Sequence, residues 1–288
     1  MASSGVSVVI PAYNAERFLS ATVASVFAQT VRPDEVIVVD DGSTDGTPAL
    51  LERLSETYPL RPIRRDNGGQ AQARNDGIAA ARGELVALLD HDDQWHPSKL
   101  ERQLDQLAAD PSLGMCFTAV NIIRDGTEEV ERLQSWNSDP AAALQKLLTG
   151  CHVKTPSTVI ARREVLARVT FDDGIRPYGG DWLAWMEMAA IGVRIGYLPD
   201  PLVDYLQHET NLGYTATHTE VGCRVMDRFF HDHPEVPRAR YWRAHWRLLA
   251  AENGDGRRHL LKAALVHPPS VRPGWVRVAF MTSGAGAI

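Results

Sequence analysis

Three short apolar runs, Val6–Ile10 (VSVVI), Glu35–Val39 (EVIVV) and Leu85–Leu89 (LVALL), constrain this chain more than any other feature. Polar residues barely interrupt them, which is the pattern of strands buried on both faces of a parallel sheet. Helical spacing separates the runs. Phe18, Leu19, Thr22, Val23, Val26 and Phe27 recur at the 3.6 period, which predicts a helix over 15–29 with Asn14 as its N-cap. Thr47-Pro48 reads as an N-cap followed by proline at the first helical position, opening a helix that runs to about Tyr58. Ile63 marks a short third strand, Asn67-Gly68-Gly69 a loop, and 70–81 a further helix closed by Gly83 as its C′ residue. Strand and helix alternating in this way predict an α/β fold with a doubly wound, mostly parallel sheet.

Downstream the pattern loosens. Pro97 opens an amphipathic helix with Leu100, Leu104, Leu107 and Ala108 on one side, and 115–120 reads as another strand. Residues 124–139 turn polar and lose their period, which predicts a loop. Helical spacing returns at 141–148, 157–161 reads as a strand, and Gly179-Gly180-Asp181 precede a helix carrying Trp182, Trp185, Met186 and Ala189. Beyond about Thr217 the chain is rich in Arg, His and Trp and reads as helices, with Trp242, Trp246 and Leu249 on one face. The expected divisions are 1–120, 121–216 and a helical C-terminal extension, 217–288.

The run 85–89 stops at Asp90, His91, Asp92 and Asp93. Three carboxylates within four residues repel one another and lose hydration if buried. A solvated acidic turn satisfies them, and so does a divalent cation, for which hard oxygen donors favour Mg2+ or Mn2+. Open α/β sheets bind ligands outside the carboxyl ends of their strands, where these residues fall. The formal net charge of −6 argues against a general nucleic-acid binder. Cys116, Cys151 and Cys223 are widely spaced and form no CxxC pair, which suggests reduced thiols in a cytoplasmic setting. No secretory signal and no apolar stretch long enough to span a membrane is legible, so a soluble protein is expected, with peripheral membrane contact at most.

Four segments, VSVVIPAYNAERFL, EVIVVDDGSTDGT, NGGQAQARNDGIAAARGE and LVALLDHDDQWHPSKLE, occur in the order and spacing of the opening motifs of family 2 glycosyltransferases, which the chain resembles over about residues 6–104. The resemblance is weaker at 180–185 and 205–211 and absent from the last seventy or so residues. It implies the GT-A fold and an inverting transferase that takes a sugar from a nucleotide-diphosphate donor, UDP-sugars favoured, to an acceptor hydroxyl of a small molecule or glycan. The resemblance makes 1–120 the nucleotide-sugar-binding half and 121–216 the acceptor half. Pro11, Ala12, Tyr13, Asp41, Asn67, Arg74 and Asp90 match donor-binding positions, Asp41 as acceptor of a nucleobase N–H. Asp90 and Asp92 match the DxD motif, Asp92 as direct ligand of Mn2+ or Mg2+, with His208 in YLQHETN as a third anchor; Asp93 stands behind them and His91 has no assigned role. Asp181 matches the general base that takes the acceptor proton, although aspartate there is also a common helix cap. Glu187 departs from the arginine usual at its place, and Trp182 and Trp185 suit core packing better than sugar stacking.

Other readings fit less well. Gln94 replaces the threonine of a DxDxT phosphatase motif, and the dinucleotide GxGxxG fingerprint is missing. A sugar nucleotidyltransferase would carry a Gly-rich, Arg-bearing loop after the first strand, where PAYNAERF stands instead. A non-catalytic nucleotide- or glycan-binding protein on the same fold predicts loss of the acidic cluster or of Asp181, and both are present.

Overall fold

Strands β1 (Val6–Ala12), β2 (Glu35–Asp40), β3 (Leu60–Arg64) and β4 (Leu85–Leu88) pair in parallel in the order β3-β2-β1-β4. Helices α1 (Leu19–Phe27), α2 (Thr47–Thr57) and α3 (Gln70–Ala80) make the connections. Every residue of β1 and β4 is buried, as uninterrupted apolar runs require. The chain leaves β1 to one side and returns to the other, so the switch point lies between β1 and β4. The computed structural model describes residues 5–172, 174–175, 179–209 and 218–250.

Beyond β4 come β5 (Gln94–Trp95), α4 (Lys99–Ala109), β6 (Leu113–Arg124), β7 (Thr127–Glu131), α5 (Pro140–Leu148), β8 (Ile160–Arg162), α6 (Arg163–Leu166), α7 (Gly180–Ala190) and β9 (Arg194–Gln207). β8 runs antiparallel between β4 and β6, β9 lies parallel to β6, and β5 lies antiparallel on β9. The parallel half of the sheet is therefore extended by a mixed half that carries β5, directly after the acidic cluster, onto β9. These elements belong to one compact unit, residues 1–174 and 180–214; residues 175–179 and 215–288 form a second. The second unit's described helices, α8 (His218–Asp232) and α9 (Ala239–Ala250), pack with Gly222 directly beneath the Trp246 ring, where a Cβ would come within 2.2 Å. Among the described residues no helix is long and apolar enough to cross a membrane.

Several local expectations are corrected. The first helix begins at Leu19, and Asn14 does not cap it: Asn14 sits at φ 48° and its Oδ1 accepts the Thr44 N–H at 2.9 Å. Thr47 is the first residue of α2 rather than its cap, and its Oγ1 accepts the Ala15 N–H at 2.8 Å. α3 passes straight into extended backbone at Ala81, so Gly83 is not a C′ residue; it permits close approach, since a Cβ there would lie 2.5 Å from the Gly5 carbonyl oxygen. Residues 127–131 form a strand, entered through the Asp125-Gly126 turn at positive φ, where the sequence predicts a loop. All five are exposed, so no buried face imposes a period. Residues 156–158 form a 3₁₀ turn and only 160–162 are strand. β9 reaches fourteen residues despite Pro199 and Pro201, with a register shift where they fall. On α9 Trp246 is buried, while Trp242 and Leu249 remain partly exposed. The rest of the expected C-terminal helices, 251–288, lies outside the described residues.

Gly77 sets how closely α3 approaches the sheet. A Cβ there would meet Val9 Cγ1 at 2.4 Å and Val39 Cγ2 at 3.2 Å. Beneath the mixed half, Lys99 at the start of α4 is fully buried, with Nζ 3.8 Å from the Trp95 ring centre and no hydrogen-bond partner. Burial lowers its pKa from 10.5 to about 7, only partly offset by Cys116, whose own thiol burial raises to about 12.

The folded pKa of Lys99 is depressed, so between about pH 7 and 10.5 the unfolded chain binds the extra proton and stability rises with pH. The expected slope from this group is about 1.4 kcal/mol per pH unit. Lys99→Met is expected to be more stable than the parent by a few kcal/mol at pH 7, with the gain vanishing near pH 10. Urea melts of both proteins across that range check the convergence.

Candidate active site

The carboxyl ends of β1, β2 and β4 line up because the strands are in register, Ala12 against Asp40 and Val9 against Leu88. Each then releases a polar segment at the same edge. After β1 come Tyr13, exposed, and the Asn14 turn; Pro11 and Ala12 themselves are buried in the strand. After β2 comes Asp41, 2% exposed. Its Oδ1 accepts from Arg65 Nη1 at 2.5 Å and the Gly68 N–H at 3.0 Å, and its Oδ2 accepts the Gly69 N–H at 2.8 Å. Asn67 Nδ2 donates to the Asp41 carbonyl oxygen at 2.9 Å. A carboxylate offers about four lone-pair sites, so the three bonds leave one for a further donor. Asp40 is turned away to structural work, its Oδ1 accepting the Ser43 N–H at 3.0 Å.

α3 joins this corner to the acidic cluster. Gly68 and Gly69, just before it, hold Asp41, while Gln70 and Arg74 on its first turns reach Asp90 Oδ1 at 3.2 and 2.7 Å. Arg74 is 4% exposed, its Nε has no hydrogen-bond partner, and its guanidinium lies over the Phe171 ring at 5.1 Å. A buried guanidinium needs an anion, and Asp90 supplies it.

The three clustered carboxylates have three separate partners. Asp90 takes Arg74. Asp92 Oδ2 lies 3.0 Å from His208 Nε2, and the His208 ring stacks on Phe18 at 4.5 Å. Asp93 is wholly buried and accepts from Thr155 Oγ1, Ser157 Oγ and the Leu206 N–H. Burial, and after it the charges of Asp92 and Asp90, raise the Asp93 pKa well above the ordinary carboxylate value. Burial and the same three aspartates raise the Tyr205 phenol.

Asp181 stands in the first turn of α7, where Oδ1 accepts the Trp182 N–H at 2.8 Å. Burial raises its pKa above 3.8; Arg74 opposes the rise and Asp90 adds to it, so Asp181 shares a local field with both. Trp182 and Trp185 are buried, Trp182 Nε1 donating to the Leu147 carbonyl at 2.9 Å, and neither ring is available to a sugar. Thr210 and Asn211, which end the YLQHETN segment, lie outside the described residues. Spacing gave no sign of Arg65, Gln70, Phe18, Thr155 or Ser157, which are brought in from distant segments.

The description "Glycosyl transferase family 2" belongs to a family model that matches residues 7–170. An uncharacterized glycosyltransferase of Nostoc sp. is 35% identical over 219 residues, covering 72% of this chain and 66% of its own length. The chain thus spans just under two thirds of that relative. The putative teichuronic acid biosynthesis glycosyltransferase TuaG of Bacillus subtilis is 33% identical over 69% of this chain and 78% of its own. The crystal structure of S. aureus TarS 1-349 in complex with UDP-GlcNAc superposes with a TM-score of 0.66 at 22% identity, covering 91% of this chain and 73% of that one. The likeness is one of fold, the GT-A arrangement of a mostly parallel, helix-flanked sheet. With the motifs, the sheet and the family model in agreement, the chain belongs to glycosyl transferase family 2.

Proposed function

We propose that this protein is a metal-dependent inverting glycosyltransferase that moves a sugar from a UDP-sugar to an acceptor hydroxyl of a small molecule or glycan. The observation that carries this reading is the position of the Arg74–Asp90 and Asp92–His208 pairs, with Asp181 in the field of Arg74 and Asp90, just past the carboxyl end of β4. Tyr13, Asp41 and Asn67 form the nucleobase end, with Asp41 keeping one acceptor site for an imide N–H. Support for uridine comes from TarS, solved with UDP and with UDP-GlcNAc. Support for a glycan acceptor comes from TuaG and from the amylovoran biosynthesis glycosyltransferase AmsB of Erwinia amylovora, 32% identical over 69% of this chain.

The donor set suits a hard cation that the substrate helps to bind. Among the described residues no three His, Cys, Asp or Glu side chains form a cage of their own. Mg2+ and Mn2+ are commonly held by one or two carboxylates together with substrate phosphates, which matches Asp92 and Asp90, with His208 beside them. A mannosyltransferase of Pyrobaculum calidifontis, solved with GDP-Man and Mn2+, shares the fold with a TM-score of 0.56 at 19% identity. The cation would supply Lewis-acid stabilisation of the departing diphosphate. Arg74 balances the charge of Asp90. Asp181 takes the acceptor proton as its oxygen attacks the anomeric carbon from the face opposite the leaving group.

Three outcomes test this reading. Asp92→Ala is expected to abolish transfer with the fold intact, and excess chelator is expected to do the same to the parent; full turnover in chelator overturns the metal role. Asp181→Asn is expected to lower kcat by about 10²–10⁴ with little change in donor affinity. Because the Asp181 pKa is raised, the parent's kcat/KM is expected to fall as pH drops along an acid limb lying above pH 3.8, and the variant's profile is expected to lack it. UDP is expected to bind well ahead of ADP by calorimetry with Mn2+ present, because adenine presents a ring acceptor to Asp41 in place of an imide donor. Equal affinities would remove Asp41 from base reading.

A further inference from the structure

Asp93 and its partners tie together three segments that are far apart in the chain. Its Oδ2 accepts from Thr155 Oγ1 at 2.9 Å and Ser157 Oγ at 2.5 Å, and its Oδ1 accepts the Leu206 N–H at 3.2 Å. Ser157 Oγ in turn accepts the Asp90 N–H at 2.9 Å, and the Ser157 carbonyl accepts Trp95 Nε1 at 2.9 Å. The Asp93 N–H closes the turn on the Asp90 carbonyl at 3.2 Å. Asp93, Ser157 and Thr155 are each 2% exposed or less. A buried carboxylate costs far more than a buried apolar side chain, and three donors aimed at it make a built site rather than an incidental one.

Its location gives the cluster a purpose. Asp92 precedes Asp93 in the chain, and His208 follows Leu206 by two residues at the end of β9. The Asp92–His208 contact at 3.0 Å therefore joins two segments that Asp93 already holds, one by the covalent chain and one by the Leu206 N–H. The β5–β9 ladder, Gln94 against Asp204 and Trp95 against Val203, stops before this point and leaves the last step of the register to Asp93.

We infer that Asp93, clamped by Thr155 and Ser157, is a positioning residue that sets Asp92 against His208 for the nucleotide diphosphate and its cation. The inference rests on the donor reading above and assigns Asp93 neither a metal bond nor a proton transfer. Thr155 and Ser157 act through Asp93, and Ser157 also fixes the Asp90 backbone.

A double-mutant cycle on the affinity for UDP with Mn2+, read by calorimetry, tests it. Asp93→Asn is expected to weaken binding about tenfold in the parent background and less than threefold in His208→Ala, because the clamp loses its purpose once the imidazole is gone. Thr155→Val is expected to weaken binding several-fold and Thr155→Ser to restore it, with thermal midpoints of that pair within a few degrees of each other. Should Asp93→Asn fail to fold, Thr155→Val carries the same cycle against His208→Ala. In turnover, the clamp variants are expected to raise donor KM more than they lower kcat. Equal losses in both backgrounds, or unchanged UDP affinity in folded Asp93→Asn and Thr155→Val, overturn the clamp while leaving the donor reading intact. A parent protein that binds no UDP in the presence of Mn2+ overturns the donor reading and the clamp with it.

Discussion

The Arg74–Asp90 contact, 2.7 Å between Nη2 and Oδ1, is the interaction on which the rest of the site depends. It sits where a doubly wound sheet gathers charge: the strands are in register, so their polar sequels emerge along one edge. Of the three aspartates after β4, Asp90 is offset by a buried permanent cation, Arg74. Its own burial would be unfavourable without Asp90, so each group makes the other tenable. The buried Asp181 feels both charges, Arg74 lowering its pKa and Asp90 raising it.

α3 carries this arrangement. Its entrance supplies the Gly68 and Gly69 N–H groups to Asp41, and its first turns supply Gln70 and Arg74 to Asp90. A single helix therefore fixes the separation between the Asp41 corner and the acidic cluster. The mixed half of the sheet does the complementary task from the other side. There β5 follows the acidic turn at once and is pinned to β9, so the segment bearing His208 returns to the residues it faces.

Much of this was legible in the sequence because the physics behind it is local. VSVVI, EVIVV and LVALL read as doubly buried strands, and the aspartates that ended the second and third runs could only lie at the edge of the sheet. Where the structure depends on a second segment, the local sequence carries no trace of it. Asn14 looked like a helix cap but serves Thr44, thirty residues away. The strand at 127–131 buries nothing and so has no period, although the Asp125-Gly126 pair was a readable turn signal. β9 carries two prolines that argue against a strand, and its pairing with β6 and β5 holds it extended. Arg65, Thr155 and Ser157 resemble surface residues by composition. Their partners lie 24, 62 and 64 residues away, a separation that no window of sequence spans.

Gly77 carries no functional group, yet it governs how far the functional groups sit from the sheet. With Val9 Cγ1 at 2.4 Å from where a Cβ would stand, even alanine would force the Val9 side chain or α3 to shift. Arg74 lies on the preceding turn of that helix, so any shift of α3 would be carried to its guanidinium and from there to Asp90. The reach of Arg74 to Asp90 is therefore set by a position that has no side chain at all. The geometry of the charged edge is bounded from behind, by the thickness of the layer between helix and strand.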